Sequence, residues 1–230
     1  MASESNVPVV HFYPASPYAF KLLLALGLKG IAFDSHLVAP IPPRKATQTL
    51  ANGHRRIPVL QLGNELFCDT ASALAALEAR FKESPSLTPS LAGTLTATAY
   101  AAWADKIVFP ATAALLPWEH LPAAFRADRA IMSARDPSTF GCRSHGDVLV
   151  RELQSQSQSG DGVERIRMGD FVAVSPDDYG KVQITGRLLY LSETQVVIQH
   201  QVHEGDEFWT ALYFPRSGYV VSKRDSASKL

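Results

Sequence analysis

Hydrophobic and polar positions divide this chain into three regions of different pattern. Between residues 7 and 83, the short apolar runs "VPVVHFY" and "AFDSHLVA" flank "SPYAFKLLLALGL", whose apolar positions recur at helical spacing. A Pro- and Arg-containing loop follows, and then "RRIPVLQLGNELFCDT". Pro58 cannot donate to a sheet ladder, so it belongs at the first residue or the edge of a strand. Val59-Leu60-Gln61-Leu62 reads as that strand, Gly63-Asn64 as a hairpin turn, and Glu65-Leu66-Phe67-Cys68 as the antiparallel return. Thr70 stands directly before "ASALAALEARF", where Leu74, Leu77 and Phe81 follow a helical period. The order β-α-β, then β-β-α, predicts an α/β layer fold with a mixed sheet. The hairpin length brings the second helix start back beside Pro58.

The pattern then becomes helical and afterwards stranded. Residues 91–155 read as a shortened helical segment, Ala-rich to about residue 135, with Trp103, Ile107, Phe109, Leu115 and Phe125 and with breaks at Pro110, Pro117 and Pro122. "QSQSQSGDG" is low in complexity, and residues 156–166 read as a linker. From Met168 the runs "DFVAVSP", "KVQITGRLLYL", "TQVVIQHQV" and "FWTALYFPRSGYVV" are separated by turn residues. Residues 167–222 are therefore expected to form a small β-barrel-like module, followed by an extended tail, 223–230. The expected fold class is α/β + α + β.

Composition narrows the partners. The chain has 22 basic and 22 acidic residues and a formal net charge of zero, which gives no global attraction to nucleic acid or to an anionic membrane. In the C-terminal strands the acids (Asp170, Asp177, Asp178, Glu193, Glu204, Asp206, Glu207) roughly match the bases, against phosphate tracking. Two cysteines, Cys68 and Cys142, make neither a disulfide framework nor a zinc site. None of the seven histidines has metal-ligand spacing with Cys or carboxylates, so no metal is expected. The longest apolar stretch, Leu22 to Leu28, is too short to span a bilayer.

With these elements in place, residues 7–83 resemble the thioredoxin-fold domain of glutathione transferases. In that family a cis proline opens the third strand, the position filled here by Ile57-Pro58-Val59-Leu60, and an acid–hydroxyl pair starts the next helix, as Asp69-Thr70 does here. The resemblance implies glutathione as cosubstrate, with the Ile57 backbone, next to Pro58, pairing with its cysteinyl unit. Thr70 and the helix N-terminus suit the γ-glutamyl carboxylate, and Asp69 faces the ammonium beside it. Arg56 and Arg44, with Arg55 and Lys45 nearby, are the cations available to the glycyl carboxylate. The plainer alternatives are that Thr70 only caps a helix and Pro58 only edges a strand.

The stretch "YPASPYAFKLLLAL" resembles the helix start that carries Cys-Pro-Tyr-Cys or Cys-Pro-Phe-Ala in glutaredoxins and cysteine-type transferases. Here it reads Ser16-Pro17-Tyr18-Ala19, without sulfur, so thiol–disulfide exchange through this motif is excluded. Ser16 is the expected donor to the glutathione sulfur and Tyr13, at the end of the first strand, the competing one. Ser-Pro is also a preferred N-cap and N1 pair.

The resemblance implies an enzyme that conjugates glutathione to an electrophilic small molecule or uses it for isomerisation, and a homodimer. The alternative is a non-catalytic binding or scaffold protein. The chain departs from the family pattern in its short middle and its stranded end. The "LYFPRSGYVV" of residues 212–221 resembles a fungal group of transferase-like proteins with a β-rich module, which suggests secondary metabolism. Ser228-Lys229-Leu230 is the tripeptide read by the peroxisomal import receptor, so the expected location is the peroxisome, or the cytoplasm if the signal is not used.

Overall fold

The computed structural model describes residues 7–88, 90–133, 166–178, 180–202 and 207–224. The end of the expected helical segment (134–155), linker residues 156–165 and the terminal tripeptide 228–230 lie outside the described residues. The chain divides into two compact units, Met1–Leu87 with Ile166–Leu230, and Thr88–Arg165.

The first unit begins as the sequence pattern predicts. Strand β1 (Val9–Phe12) leads into α1 (Pro17–Lys29), and β2 (Asp34–Leu37) pairs parallel to β1. A short helix α2 (Lys45–Leu50) lies within the expected loop, and its N-cap, Arg44, makes no side-chain capping bond. Six residues without a Ser, Thr, Asp or Asn cap leave little local signal for a helix. Strands β3 (Val59–Leu62) and β4 (Glu65–Phe67) form the hairpin, and α3 (Thr70–Arg80) follows.

Period-two alternation sends neighbouring residues to opposite faces of this sheet. Val10, Phe12, Leu60 and Phe67 pack with Leu22, Leu26, Ala73 and Leu77 of α1 and α3. The buried Lys29 at the end of α1 donates to Glu78 of α3 at 2.8 Å and to the Pro85 carbonyl at 3.0 Å. The Lys29 ammonium, with Leu87 N–H and the Ser86 hydroxyl, lowers the pKa of the Glu78 carboxyl to about 2. Val59, Leu66 and Cys68 face the other way, into a second core.

That second core is filled from the far end of the chain. Strands β5 (Phe171–Pro176), β6 (Ile184–Leu191), β7 (Gln195–Gln201), β8 (Trp209–Pro215) and β9 (Tyr219–Lys223) form an antiparallel run in the order β8-β7-β6-β5-β9. Although β9 follows β8 in sequence, it pairs with β5 and forms the edge of the sheet, so the strands expected as a barrel-like module are an open run. Gly218, at φ +83, supplies the left-handed residue in the turn between β8 and β9. Gly186 lets β6 approach β7 closely, since a Cβ there would stand 2.4 Å from the Gln199 carbonyl oxygen. The strands expected as a module at 167–222 continue the N-terminal sheet. β8 pairs parallel to β4, with Leu66 opposite Leu212, giving nine strands in the order β2-β1-β3-β4-β8-β7-β6-β5-β9.

In the second unit, α4 (Leu91–Trp103), a π-helical turn (Ala104–Val108) and α5 (Phe109–Ala114) run on without the expected break at Pro110. Phe109 N–H bonds to the Ala104 carbonyl, one residue further back than in an α-helix, and that shift accommodates a residue with no N–H. Pro117 and Pro122 do flank an interruption, the 3-10 turn Trp118–His120, before α6 (Ala123–Ser133). Trp118 donates to the Ala113 carbonyl at 3.0 Å and stacks near Phe125.

Because Leu212 is fully buried between β4 and β7, Leu212→Ala is expected to cost about 2–5 kcal/mol by urea denaturation. The loss should appear in one transition of the first unit; two separate transitions would show that its sheet does not unfold as one body. Three buried or half-buried histidines, His11, His54 and His200, have pKa values below the usual 6.5, chiefly because burial disfavours their charge, with His54 lowered to about 3. Unfolding restores the ordinary value, so between 6.5 and the folded values the unfolded chain binds more protons. Their contribution is present above pH 6.5 and lost as pH falls through that window. The melting temperature should fall from about pH 7 to about pH 4.5, and less steeply in His54→Gln.

Candidate functional site

Three local signals predicted from sequence meet on one end of the β1–β3–β4 sheet. The hairpin pairs Leu60 with Phe67, and the same register carried outward sets Pro58 across from Asp69. The Ile57-Pro58 bond is cis, and the β1–β3 ladder stops at Val59, so the Ile57 main chain takes no part in it. Ile57 packs against both cores, which fixes the segment from above and below.

Asp69, not Thr70, is the N-cap of α3. Its backbone is extended, at φ −151 and ψ 150, and its carboxylate accepts from Ala71 N–H at 2.8 Å. Thr70 is the first helical residue and is only 6% exposed. A capping carboxylate already supplies one acceptor to the first turn, which leaves the Thr70 hydroxyl outside the capping bond.

At the start of α1, Ser16 is the N-cap and Pro17 the first helical residue, as the sequence suggested. The Ser16 oxygen accepts from Ala19 N–H at 3.3 Å, and Ser16 N–H donates to the Tyr13 carbonyl at 3.1 Å. One turn therefore joins both candidate sulfur donors. Capping uses the Ser16 oxygen as acceptor, whereas activating a thiolate would use its O–H as donor, so one does not preclude the other. Ser16 is buried and Tyr13 half-buried.

The two candidate cations serve different ends. Arg44 is buried, and its guanidinium donates to the carbonyls of Ala39 at 2.7 Å, Pro40 at 2.8 Å and Arg55 at 2.5 Å. It organises the loop from β2 to β3. Arg56 instead reaches the C-terminal strands, where it ion-pairs with Asp178 and lies 5.6 Å above the Tyr219 ring.

His54 was visible in the sequence only as a histidine without metal spacing. In the structure it is fully buried, hydrogen-bonds the Cys68 backbone and meets the Phe214 ring edge-on at 5.7 Å. Burial, with Arg56 and Arg44 nearby, lowers its pKa to about 3 and so keeps it neutral near pH 7. It thereby ties the loop before Pro58 to the residue before Asp69. Its partner is set by strand pairing, and only the arginines around it hinted at a role. Cys68 is itself buried, which pushes its thiol well above the usual range and removes it as a thiolate nucleophile. Among the described residues no group of three or more His, Cys, Asp or Glu could hold a metal ion, and no helix is long and apolar enough to cross a membrane.

Residues 10–85 match the family model for the glutathione S-transferase N-terminal domain. A search of curated protein sequences finds no match. Among solved structures, a GST-like protein from Pseudomonas syringae aligns over 95% of this chain and 100% of its own, at 22% identity and a TM-score of 0.66. A glutathione S-transferase of Ceriporiopsis subvermispora in complex with glutathione aligns over 69% of this chain and 76% of its own, at 17% identity and a TM-score of 0.46. A rice glutathione S-transferase in complex with glutathione aligns over 68% and 66%, at 19% identity and 0.44. The first of these supports the fold along nearly the whole chain, and the family model places the cis proline and the Asp69-Thr70 helix start within a glutathione S-transferase domain. Residues 10–85 thus match a glutathione S-transferase N-terminal domain, and the chain is similar in fold to a GST-like protein along nearly its whole length.

Proposed function

We propose that this protein binds glutathione and conjugates it to, or uses it to isomerise, an electrophilic small molecule. The observation that carries the reading is the register of the β3–β4 hairpin, which sets the cis Ile57-Pro58 bond across from Asp69 and the α3 N-terminus. In this reading the Ile57 main chain extends the sheet to the cysteinyl unit. Asp69 takes the ammonium, while Thr70 and the first N–H groups of α3 take the γ-glutamyl carboxylate. Arg56, rather than the loop-holding Arg44, receives the glycyl carboxylate.

The chemical task is to hold a thiolate. A free thiol with a pKa of about 8.5 is only a few per cent ionised at neutral pH. A hydrogen bond from the Ser16 hydroxyl, helped by the α1 N-terminus, would stabilise the thiolate by ~1–3 kcal/mol. The thiolate then attacks the electrophile, and the bond it forms to carbon displaces the leaving group or opens the reactive double bond. Electrophiles of secondary metabolism are the expected substrate class.

The second reading, a binding or scaffold protein without turnover, is favoured by one observation: Arg56 already holds Asp178. Calorimetric titration with glutathione and a turnover assay with a chloronitrobenzene separate the two. Binding with turnover supports the enzyme, binding alone the scaffold, and absence of binding removes glutathione from both. Thr70→Ala is expected to weaken glutathione by ~1–2 kcal/mol with little change in melting temperature, because the capping bond belongs to Asp69. Ser16→Ala should cut turnover while leaving the dissociation constant nearly intact; if Tyr13→Phe does so instead, the sulfur donor is Tyr13.

Peroxisomal import through Ser228-Lys229-Leu230 belongs to the same proposal. A fluorescent protein fused ahead of residue 1 should form puncta with a peroxisomal marker and become diffuse when Leu230 is deleted; diffuse signal from the intact fusion would refute it.

A further inference from the structure

The C-terminal sheet places a polar atom beside the candidate site that the fold itself does not use. Tyr219, the first residue of β9, is 6% exposed, and its hydroxyl is buried with no hydrogen-bond partner among the described residues. Such a group lowers stability, because its desolvation is not offset. Its ring is well placed by contrast. It lies 5.4 Å from the Phe214 ring and 5.6 Å below the Arg56 guanidinium, in the core that includes Cys68 and against which Ile57 packs. Tyr219 thus borders both segments that frame the candidate ligand, Arg56-Ile57 before Pro58 and Cys68 before Asp69.

The charges around the hydroxyl define what it can do. Burial raises the phenol well above its usual range, and Asp69, Cys68 and Asp178 add to that against the opposing effect of Arg56. The group is therefore a neutral O–H, a donor in search of an acceptor. Asp69, the N-cap of α3, is the strongest of the charges acting on it. The acceptor expected there is a carboxylate, since the α3 N-terminus also favours negative charge.

Resting on the glutathione reading of Ile57, Asp69 and Thr70, we propose that the Tyr219 hydroxyl donates a hydrogen bond to the γ-glutamyl carboxylate of bound glutathione, so that the C-terminal sheet contributes a ligand contact to the N-terminal domain. This contact would come from β9, a strand more than a hundred residues beyond the matched domain. Asp178 assists indirectly, by holding the Arg56 side chain over the ring.

Tyr219→Phe tests this cleanly, because it keeps the ring against Phe214 and under Arg56 and removes only the oxygen. Full-length wild type and variant are titrated calorimetrically with reduced glutathione and with γ-glutamylcysteine, and both proteins are melted without ligand. The expected result is about tenfold weaker binding of both ligands, with an unchanged or higher melting temperature, since the ligand-free protein has no hydrogen bond to lose. Equal affinities of wild type and variant would overturn the proposal. So would a loss confined to glutathione, which would put the contact at the glycyl end, and so would a lower melting temperature accompanying the loss. If wild type binds neither ligand, the glutathione reading itself fails and the proposal falls with it, an outcome distinct from equal binding by both proteins.

Discussion

The parallel pairing of β4 with β8 is the contact on which the first unit depends. A thioredoxin-fold sheet ending at β4 would present a row of main-chain N–H and C=O groups to solvent, an open template for another strand. Here Leu66 and Phe67 pair with Leu212 and Tyr213, and Cys68 N–H donates to the Tyr213 carbonyl at 3.0 Å. The edge is covered by the chain's own later strands, and the core beneath β3 and β4 is completed by Val172, Ile184, Val196, Ile198, Leu212 and Phe214. Apolar burial rather than hydrogen bonding supplies most of the driving force, since strand pairing exchanges water contacts for internal ones at modest net gain.

The same pairing determines what surrounds the candidate site. It brings Tyr213 to the Glu65 carboxylate, which also pairs with Arg80, and stacks the Tyr213 ring on Phe67 at 4.5 Å. It sets Phe214 against His54, and Tyr219 and Asp178 against Arg56. Further along, Thr210 donates to the Leu50 carbonyl at 2.7 Å, and Asn52 donates to the Thr185 carbonyl at 3.0 Å, so α2 and the loop after it are fastened to the C-terminal strands. The loop that carries the cis proline is thereby held on one side by its own sheet and on the other by strands from the end of the chain.

The site-bearing turns also combine structural and chemical roles economically. Asp69 and Ser16 both cap helices, and both leave functional capacity: a carboxylate can accept several hydrogen bonds, and a capping hydroxyl retains its proton for donation. Arg44 and Arg56 show the opposite case. They are the same residue type twelve positions apart, but one is turned inward to three carbonyls and the other outward to a carboxylate and an aromatic ring.

The sequence by itself determined the features that local chemistry encodes. Alternation marked β3 and β4, Gly63-Asn64 marked their turn, Ser16-Pro17 marked the start of α1, and Pro58 with Asp69-Thr70 marked the candidate site through hairpin spacing. The C-terminal strands were legible as four apolar runs separated by turn residues, the last of which the structure divides into β8 and β9. Tertiary structure alone decided which edge those strands cover, because β4 and β8 lie more than a hundred residues apart and any apolar edge satisfies the local pattern equally. It also decided that Arg56 turns to Asp178, that His54 bonds Cys68, and that a π-helical turn carries the helix through Pro110. Each of these depends on a partner delivered by packing, and a periodicity read along one segment carries no information about which distant segment will meet it.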